Sequence, residues 1–147
     1  MSEPAVVRVT RSVAAAPETV FDAWLDPDQL GRWMFGPAVR DEEIVHLALT
    51  PKKGGSFSFL VERDGENVEY VGKYLEISRP QRLAFTWTVA TESVGSRVLV
   101  DIVAGEAGCE LTLTQEIHSS RAEQVEHTEV EWSHMLDTLA LVLGEAS

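Results

Sequence analysis

The sequence predicts an α+β domain in which a seven-stranded, antiparallel, curved sheet wraps around one long C-terminal helix, with two short helices after the first strand. Residues 119–143 carry apolar side chains at helical spacing, whereas six segments before them alternate with a period of two. The breaks between those segments are short and contain turn-forming residues. Because parallel neighbours would need long crossover connections, the strands are expected to pair antiparallel.

The N-terminal quarter of the chain predicts one strand and one short helix. Val6–Val13 alternates apolar and polar residues, the pattern of a strand with one or both faces partly solvated. Pro17 followed by Glu18 is typical of a first helical turn, because proline there sacrifices no backbone hydrogen bond and the acid faces the positive end of the helix dipole. The residues that follow have the spacing of a buried helix face: Val20, Phe21, Trp24 and Leu25.

A second short helix is predicted over Asp28–Met34. Pro27 disfavours the helical region for the residue before it, so the first helix must end there, and Asp26 can cap the next helix. The buried face of this second helix is Leu30, Trp33 and Met34, and the helix is expected to end at Gly36 and Pro37.

Six further strands are predicted where the apolar period changes to two. Their expected ranges are Glu42–Leu49, Gly55–Glu62, Asn67–Ile77, Arg82–Ala90, Arg97–Ala104 and Cys109–Ile117. Glycine, proline or aspartate in the intervening breaks favours tight turns. No internal repeat or linker interrupts this order, so residues 1–147 are expected to form a single domain.

The last predicted helix, Ser119 to Leu143, would be about 37 Å long and could lie across the whole sheet. One apolar stripe runs along it: Val125, Trp132, Leu136, Leu139 and Leu143. The acidic residues fall mostly off that stripe, so they predict a solvated face: Glu123, Glu126, Glu129, Glu131 and Asp137. A single helix on a curved sheet leaves a space between the two layers, and this space is the predicted functional site.

Charge and composition exclude several classes of function. Twenty-four acidic against twelve basic residues give a net charge of −12, which repels nucleic acids and anionic membranes. The N-terminus lacks the pattern of a signal peptide, and no apolar run is long enough for a membrane span. Cys109 is the only cysteine, so an internal disulfide is impossible and a reducing, cytoplasmic location is expected. Its place in an apolar alternation predicts an inert core residue.

No residue of the sequence is predicted to be catalytic or to bind a metal, and no cofactor is expected. His127 and His134 lie about two helical turns apart, too far to share an ion directly. Neither a metal-binding His–Glu motif nor a nucleophile-elbow motif occurs. Acids on strands could serve as a general base only if they were buried: Glu69, Glu76 and Asp101.

Aromatic residues cluster at the positions where the helix and the sheet would face each other. Pairs on one strand face, such as Phe57 with Phe59 and Phe85 with Trp87, are the usual content of a core. Aromatics mixed with inward-capable polar groups are also typical of a ligand pocket. The candidate polar groups are Tyr70, Tyr74, Thr86, Thr88 and His134.

The chain resembles the helix-grip fold of the START and Bet v 1 superfamily, also called SRPBCC, and most closely the branch named for the activator of the 90-kDa heat-shock-protein ATPase. The matching stretches run nearly end to end: APETVFDAWLDPDQLGRWMFGP, GGSFSF, YVGKYLEISRPQRLAFTWT, CELTLTQE and the C-terminal helix with Trp132. The resemblance implies an apolar cavity between the last helix and the sheet, without a catalytic motif common to the family. By position, the implied ligand-binding residues are Trp33, Phe35, Phe57, Phe59, Tyr74, Phe85, Trp87, Trp132, Leu136 and Leu139.

Three functions follow as hypotheses. The first is binding of a small hydrophobic molecule, such as a lipid, an aromatic or a polyketide-like compound, by a monomer or a homodimer. The second is a cyclase or hydrolase that uses the same cavity, with His134 or Tyr74 as its polar group. The third is a chaperone partner or stress-response protein. In the eukaryotic co-chaperone this module is the C-terminal part of a longer chain, and no second domain is expected in these 147 residues, which argues against the activator role.

Overall fold

The computed structural model describes residues 5–35, 41–90, 95–118 and 123–145, and within them all seven predicted strands are present. The elements are β1 (Ala5–Val13), α1 (Pro17–Asp22), α2 (Pro27–Trp33), β2 (Glu43–Leu49), β3 (Ser56–Arg63), β4 (Glu66–Ser78), β5 (Arg82–Val89), β6 (Ser96–Gly105), β7 (Gly108–Ile117) and α3 (Val125–Glu145). The second helix begins and ends one residue earlier than predicted. The predicted start of the last helix at Ser119, and the helix end at Gly36 and Pro37, lie outside the described residues.

The strands form one antiparallel sheet in the order β1-β7-β6-β5-β4-β3-β2, which confirms the predicted α+β, helix-grip architecture. Strands β2 to β7 follow one another as a meander, because the connections between neighbours are short in sequence. β1 instead pairs with β7, so the first and second strands of the chain are the two edges of the sheet. The segment containing α1 and α2 therefore spans the distance between the two edges.

The chain forms two separate short helices here, with the break at Asp26 and Pro27 as predicted. Asp26 Oδ1 accepts a hydrogen bond from the backbone N–H of Asp28 at 3.0 Å and caps α2. Behind this corner, the indole N–H of Trp33 donates to the carbonyl oxygen of Ala23 at 3.0 Å, and the Trp24 and Trp33 rings meet at 4.6 Å. These contacts hold the two helices together, with both indoles in the core.

Local irregularities accompany the curvature of the sheet. The register shifts between Ile44 and His46 in β2 and between Tyr74 and Glu76 in β4, and such bulges bend a strand and increase its twist. Gly72 in β4 lies where a Cβ atom would come within 2.0 Å of the Thr86 carbonyl oxygen. Only glycine therefore allows the backbones of β4 and β5 to approach so closely there.

The long helix α3 packs across the inner face of the sheet as the apolar stripe predicts. Trp132, Leu136, Leu139 and Leu143 are buried, and Val125 is half-buried at the start of the helix. The helix is also tied to β1, because Arg11 Nε donates to Asp137 Oδ1 at 2.6 Å. The space between α3 and the sheet is therefore where the core lies and where a cavity could remain.

Candidate ligand-binding site

A cavity of about 330 Å³ lies between the N-terminal half of α3 and the inner face of the sheet. Its walls come from the C-terminal ends of β5 and β7, the start of β6, and the hairpin of β3 and β4. Exposed side chains surround its opening: His118, Gln124, His127 and Glu131. The volume falls at the lower end of the roughly 300–1,000 Å³ that is usual for small-molecule pockets.

Aromatic rings that contact one another form the apolar wall of the cavity. The Trp87 ring lies 5.0 Å from Tyr70, in a stacked arrangement, and 5.7 Å from Trp132 on α3. Phe35 stacks on Trp87 at 6.4 Å, and Met135 completes the wall from the helix. The Trp87 ring lies within 25° of parallel to Phe35 and Tyr70, whereas it is inclined at 52° to Trp132. Because each ring contacts its neighbours, the wall is preformed.

A buried carboxamide provides the polar part of the cavity floor. Gln115 on β7 is only 6% exposed, and its Oε1 accepts a hydrogen bond from Trp132 Nε1 at 2.6 Å. Its Nε2 donates to Ser96 Oγ at 2.7 Å, and Ser96 Oγ donates in turn to the carbonyl oxygen of Trp87 at 2.8 Å. The chain of bonds joins α3, β7, β6 and β5 at one point of the cavity.

An ion pair with a buried carboxylate lies at the other side of the cavity. Arg63 donates to Glu42 Oε1 from Nε at 3.0 Å and from an Nη at 2.6 Å, and the Glu42 side chain is fully buried. Burial lowers the pKa of Arg63, but its hydrogen bonds to Glu42 and Tyr70 outweigh that effect, so the pKa is raised. Arg63 therefore stays charged, and its charge is compensated by Glu42.

Of the ten side chains expected to bind the ligand, three line the cavity: Phe35, Trp87 and Trp132. The structure places the other seven in the packed core beside it: Trp33, Phe57, Phe59, Tyr74, Phe85, Leu136 and Leu139. Their side chains pack together in the core. The Phe57 ring, for example, lies 4.7 Å from the Phe59 ring and 5.8 Å from the Phe85 ring. Whether any of the ten binds a ligand stays a prediction.

The polar candidates divide in the same way. Tyr70 and Thr88 line the cavity, whereas Thr86 accepts a hydrogen bond from the backbone N–H of Lys73 at 2.9 Å. Tyr74 is buried in the core, and burial raises its pKa, so its hydroxyl stays neutral. His134 is exposed on α3. Neither of the two residues considered for catalysis is therefore part of the cavity lining.

Sequence reasoning missed several polar residues of the lining, among them Arg63, Ser96 and Gln115. A signal for Gln115 was present, because the inward positions of β7 alternate as Cys109, Leu111, Leu113, Gln115 and Ile117. A lone amide in an apolar series indicates a buried hydrogen-bonding role. Arg63 and Ser96 lie at strand ends, where the alternation carries no such information.

The strand acids considered as general bases have ordinary partners. Ser58 Oγ donates to Glu69, and His46 Nε2 lies 3.0 Å from the same Ser58 oxygen. The serine is the middle member of this row and gives its proton to the carboxylate, so the order differs from a nucleophilic triad, in which histidine is central. Ser78 donates to Glu76, and Arg82 pairs with Asp101 at 2.9 Å.

Within the described ranges, no three His, Cys, Asp or Glu side chains lie close enough to hold a metal ion. No helix among those residues is long and apolar enough to cross a membrane. The large apolar side chains exposed there lie on alternate strands of the sheet or on the outer side of α3: Val6, Val45, Leu75, Val103, Val130 and Leu141.

The fold and the cavity define a helix-grip protein with a small lined pocket under its C-terminal helix. The family model described as Activator of Hsp90 ATPase homolog 1-like protein matches residues 14–144, and the chain belongs to this family. This confirms the branch of the superfamily that the sequence resembles. No curated protein matches the sequence.

Solved structures of similar fold cover nearly the whole chain. A protein of Rhodobacter sphaeroides is 20% identical, with a TM-score of 0.84 over 97% of this chain and 94% of its own. A member of the same family from Aeromonas hydrophila is 20% identical, with a TM-score of 0.80 over 96% and 93%. A protein of Chromobacterium violaceum is 22% identical, with a TM-score of 0.81 over 95% and 96%. At these identities the likeness establishes the fold.

Proposed function

We propose that this protein binds a small, mainly apolar molecule in the cavity between α3 and the sheet. The observation that carries the proposal is the 330 Å³ space whose aromatic wall lies beside polar side chains that hydrogen bonds hold in place. Pockets for small molecules generally combine predominantly apolar walls with a small number of oriented polar groups. Such a cavity supports binding of one compact ligand rather than a long lipid chain.

The chemistry of the lining favours binding over catalysis. The general acid or base of an enzyme must reach the substrate within hydrogen-bonding distance. The groups in the inner part of the cavity are a carboxamide, hydroxyls and a guanidinium already paired with Glu42. His127 and Glu131 at the opening bond to each other at 3.1 Å and are exposed, which keeps them in water rather than in a desolvated site.

Titration of the protein with naphthalene, followed by NMR of the tryptophan indole N–H groups, tests the proposal. Saturable shifts are expected for Trp87 and Trp132, which line the cavity, and smaller shifts for Trp24 and Trp33, which lie in the packed core. The substitution Thr128→Phe adds a ring at the cavity wall on α3 and is expected to weaken binding at least 10-fold, about 1.4 kcal/mol.

Thr138→Phe is the matched control, because Thr138 is also half-buried on α3 but does not line the cavity. It is expected to leave the affinity unchanged. Equal weakening by both variants, or linear, unsaturable shifts in the wild-type protein, would contradict binding in this cavity.

A further inference from the structure

Gln115 is a polar residue in an apolar setting. In the sheet register it lies between Val7 on β1 and Val98 on β6, both of which are fully buried. Burying an amide costs free energy unless its donors and acceptors are bonded. The contacts of this side chain therefore determine what else it can bind.

The two bonds of the carboxamide determine its orientation. An indole N–H can only donate, so the atom that faces Trp132 must be the oxygen, and the amide nitrogen must face Ser96. Ser96 uses its own proton to bond the Trp87 carbonyl oxygen, which leaves it free to accept from Gln115. The reversed orientation of the amide would place two donors against each other at Trp132.

This arrangement leaves part of the amide's bonding capacity unused. A carboxamide has two N–H donors, and one of those of Gln115 bonds Ser96. The second N–H has no partner among the residues that the structure describes, and Gln115 lines the cavity beside Trp87 and Trp132. A ligand oxygen that accepts this N–H would complete the bonding of the buried amide, a gain that an apolar ligand cannot provide.

The charges around the cavity select among possible acceptors. The protein carries a net charge of −12, Glu131 lies at the opening, and Arg63 is already compensated by Glu42. A ligand carboxylate at Gln115 would lose its hydration without gaining a free cation, which is costly. An uncharged carbonyl oxygen avoids that cost. The planar aromatic group that carries the carbonyl can pack against the Trp87 ring.

We infer that Gln115 is the specificity-determining residue of the cavity and selects compact, planar, apolar molecules that carry an uncharged carbonyl group, such as aryl ketones, amides or quinones. The inference rests on the proposed function, because it assigns the ligand chemistry of the same cavity. Trp87 and Trp132 provide the apolar contact, and the unused N–H of Gln115 bonds the carbonyl oxygen.

Two probes of nearly equal shape test this inference by calorimetric titration. 2-Acetylnaphthalene carries the carbonyl oxygen, and 2-isopropenylnaphthalene has a CH₂ group in its place. Gln115→Met keeps the length of the side chain but removes the N–H. We compare the affinity for the ketone divided by the affinity for the alkene. This ratio is expected to be roughly 5- to 10-fold lower in Gln115→Met than in wild type, the effect of one hydrogen bond.

Gln115→Glu separates recognition of the ligand carbonyl from the structural hydrogen bond to Trp132. A glutamate keeps an oxygen acceptor for Trp132, and the single O–H of its buried, neutral form is needed by Ser96, so no donor is left for the ligand. It is therefore expected to lose the preference for the ketone even where the Trp132 contact survives. If Gln115→Met fails to fold, this variant decides the question, with 2-naphthoate as a third probe that should bind weakly to the wild type.

The outcomes separate the two proposals. If wild type binds both naphthalenes and the affinity ratio stays the same in the variants, the role of Gln115 is overturned while binding in the cavity stands. If wild type binds neither probe saturably, the proposed function fails and the inference fails with it. A preference of the wild type for 2-naphthoate over the ketone would overturn the assigned ligand class.

Discussion

The space between α3 and the sheet has two unlike halves. In the filled half, side chains including Trp33, Phe57, Phe85, Leu136 and Leu139 pack directly against one another. In the cavity half, Trp87 and Trp132 meet the polar side chains of Gln115, Ser96 and Arg63 around a space of 330 Å³. Both halves are rich in aromatic rings, so aromatic content alone does not distinguish a core from a pocket.

The two halves differ in whether their side chains must keep hydrogen-bond partners. Apolar side chains can close on one another until no void remains, as protein interiors generally do. A buried amide or guanidinium must instead keep the position that its partners require, as Gln115 does between Trp132 and Ser96. Rings beside such groups cannot collapse into the remaining volume without breaking those bonds.

The largest effect is expected from neighbouring residues of α3 that face different halves. Leu136 is fully buried in the filled half, and Leu136→Ala is expected to destabilise the protein by about 3–5 kcal/mol. Met135 lines the cavity, so Met135→Ala enlarges an existing space. It is expected to lower the free energy of unfolding by about 2 kcal/mol, near the lower limit for substitutions of this kind. Urea denaturation monitored by circular dichroism measures both.

The control for these variants is Leu141→Ala, because Leu141 is 61% exposed on the same helix. It is expected to change the free energy of unfolding by less than about 0.5 kcal/mol. Equal losses of stability in Leu136→Ala and Met135→Ala would show that the two halves are packed alike. That result would contradict the distinction between a filled half and a cavity half.

A second prediction concerns the ion pair that borders the cavity half. Arg63→Met removes two hydrogen bonds from the buried carboxylate of Glu42 and is expected to destabilise the fold by about 1.5–3 kcal/mol. The double variant Glu42→Met with Arg63→Met removes the charge as well. It should recover stability relative to Arg63→Met, since apolar replacements of a buried pair are often neutral or stabilising.

Chemical denaturation of wild type, both single variants and the double variant gives the coupling energy of the pair. A double variant no more stable than Arg63→Met would mean that the carboxylate does not depend on this guanidinium.

The smallest effect is expected at an exposed ion pair remote from the cavity. Arg79 Nε donates to Asp22 Oδ1 at 2.8 Å, and this bond lowers the pKa of Asp22 below its ordinary value. Because the folded-state pKa is the lower one, the pair stabilises the fold above the unfolded-state value. That stability is lost as the pH falls through the folded-state pKa.

Asp22→Asn is therefore expected to lower Tm slightly at pH 6 and to have no effect near pH 2. Thermal unfolding at both pH values measures the difference. Arg79→Gln should show the same pH dependence, and naphthalene affinity should be unchanged in both variants. A loss at pH 2 as large as at pH 6 would contradict the role of the ionised Asp22.

Local signals were sufficient for the elements of the fold. Asp26 and Pro27 predicted the break between α1 and α2, and the structure has the Asp26 cap at that position. The candidate site was predicted less completely, since Phe35, Trp87 and Trp132 line the cavity while seven other candidates pack beside it. Arg63 and Ser96 gave no signal, because their role depends on partners from distant strands.

Periodicity and turn residues were enough to predict the antiparallel meander, the long helix and the side chains that face the core. Periodicity reports the face on which a residue lies, since that depends on its own strand or helix. Which of the inward residues face empty space depends on how the helix and the strands pack together. The gap beside Trp132 depends on the side-chain volumes and hydrogen bonds of β5, β6 and β7 together. No pattern within a single strand or helix reports that combined effect.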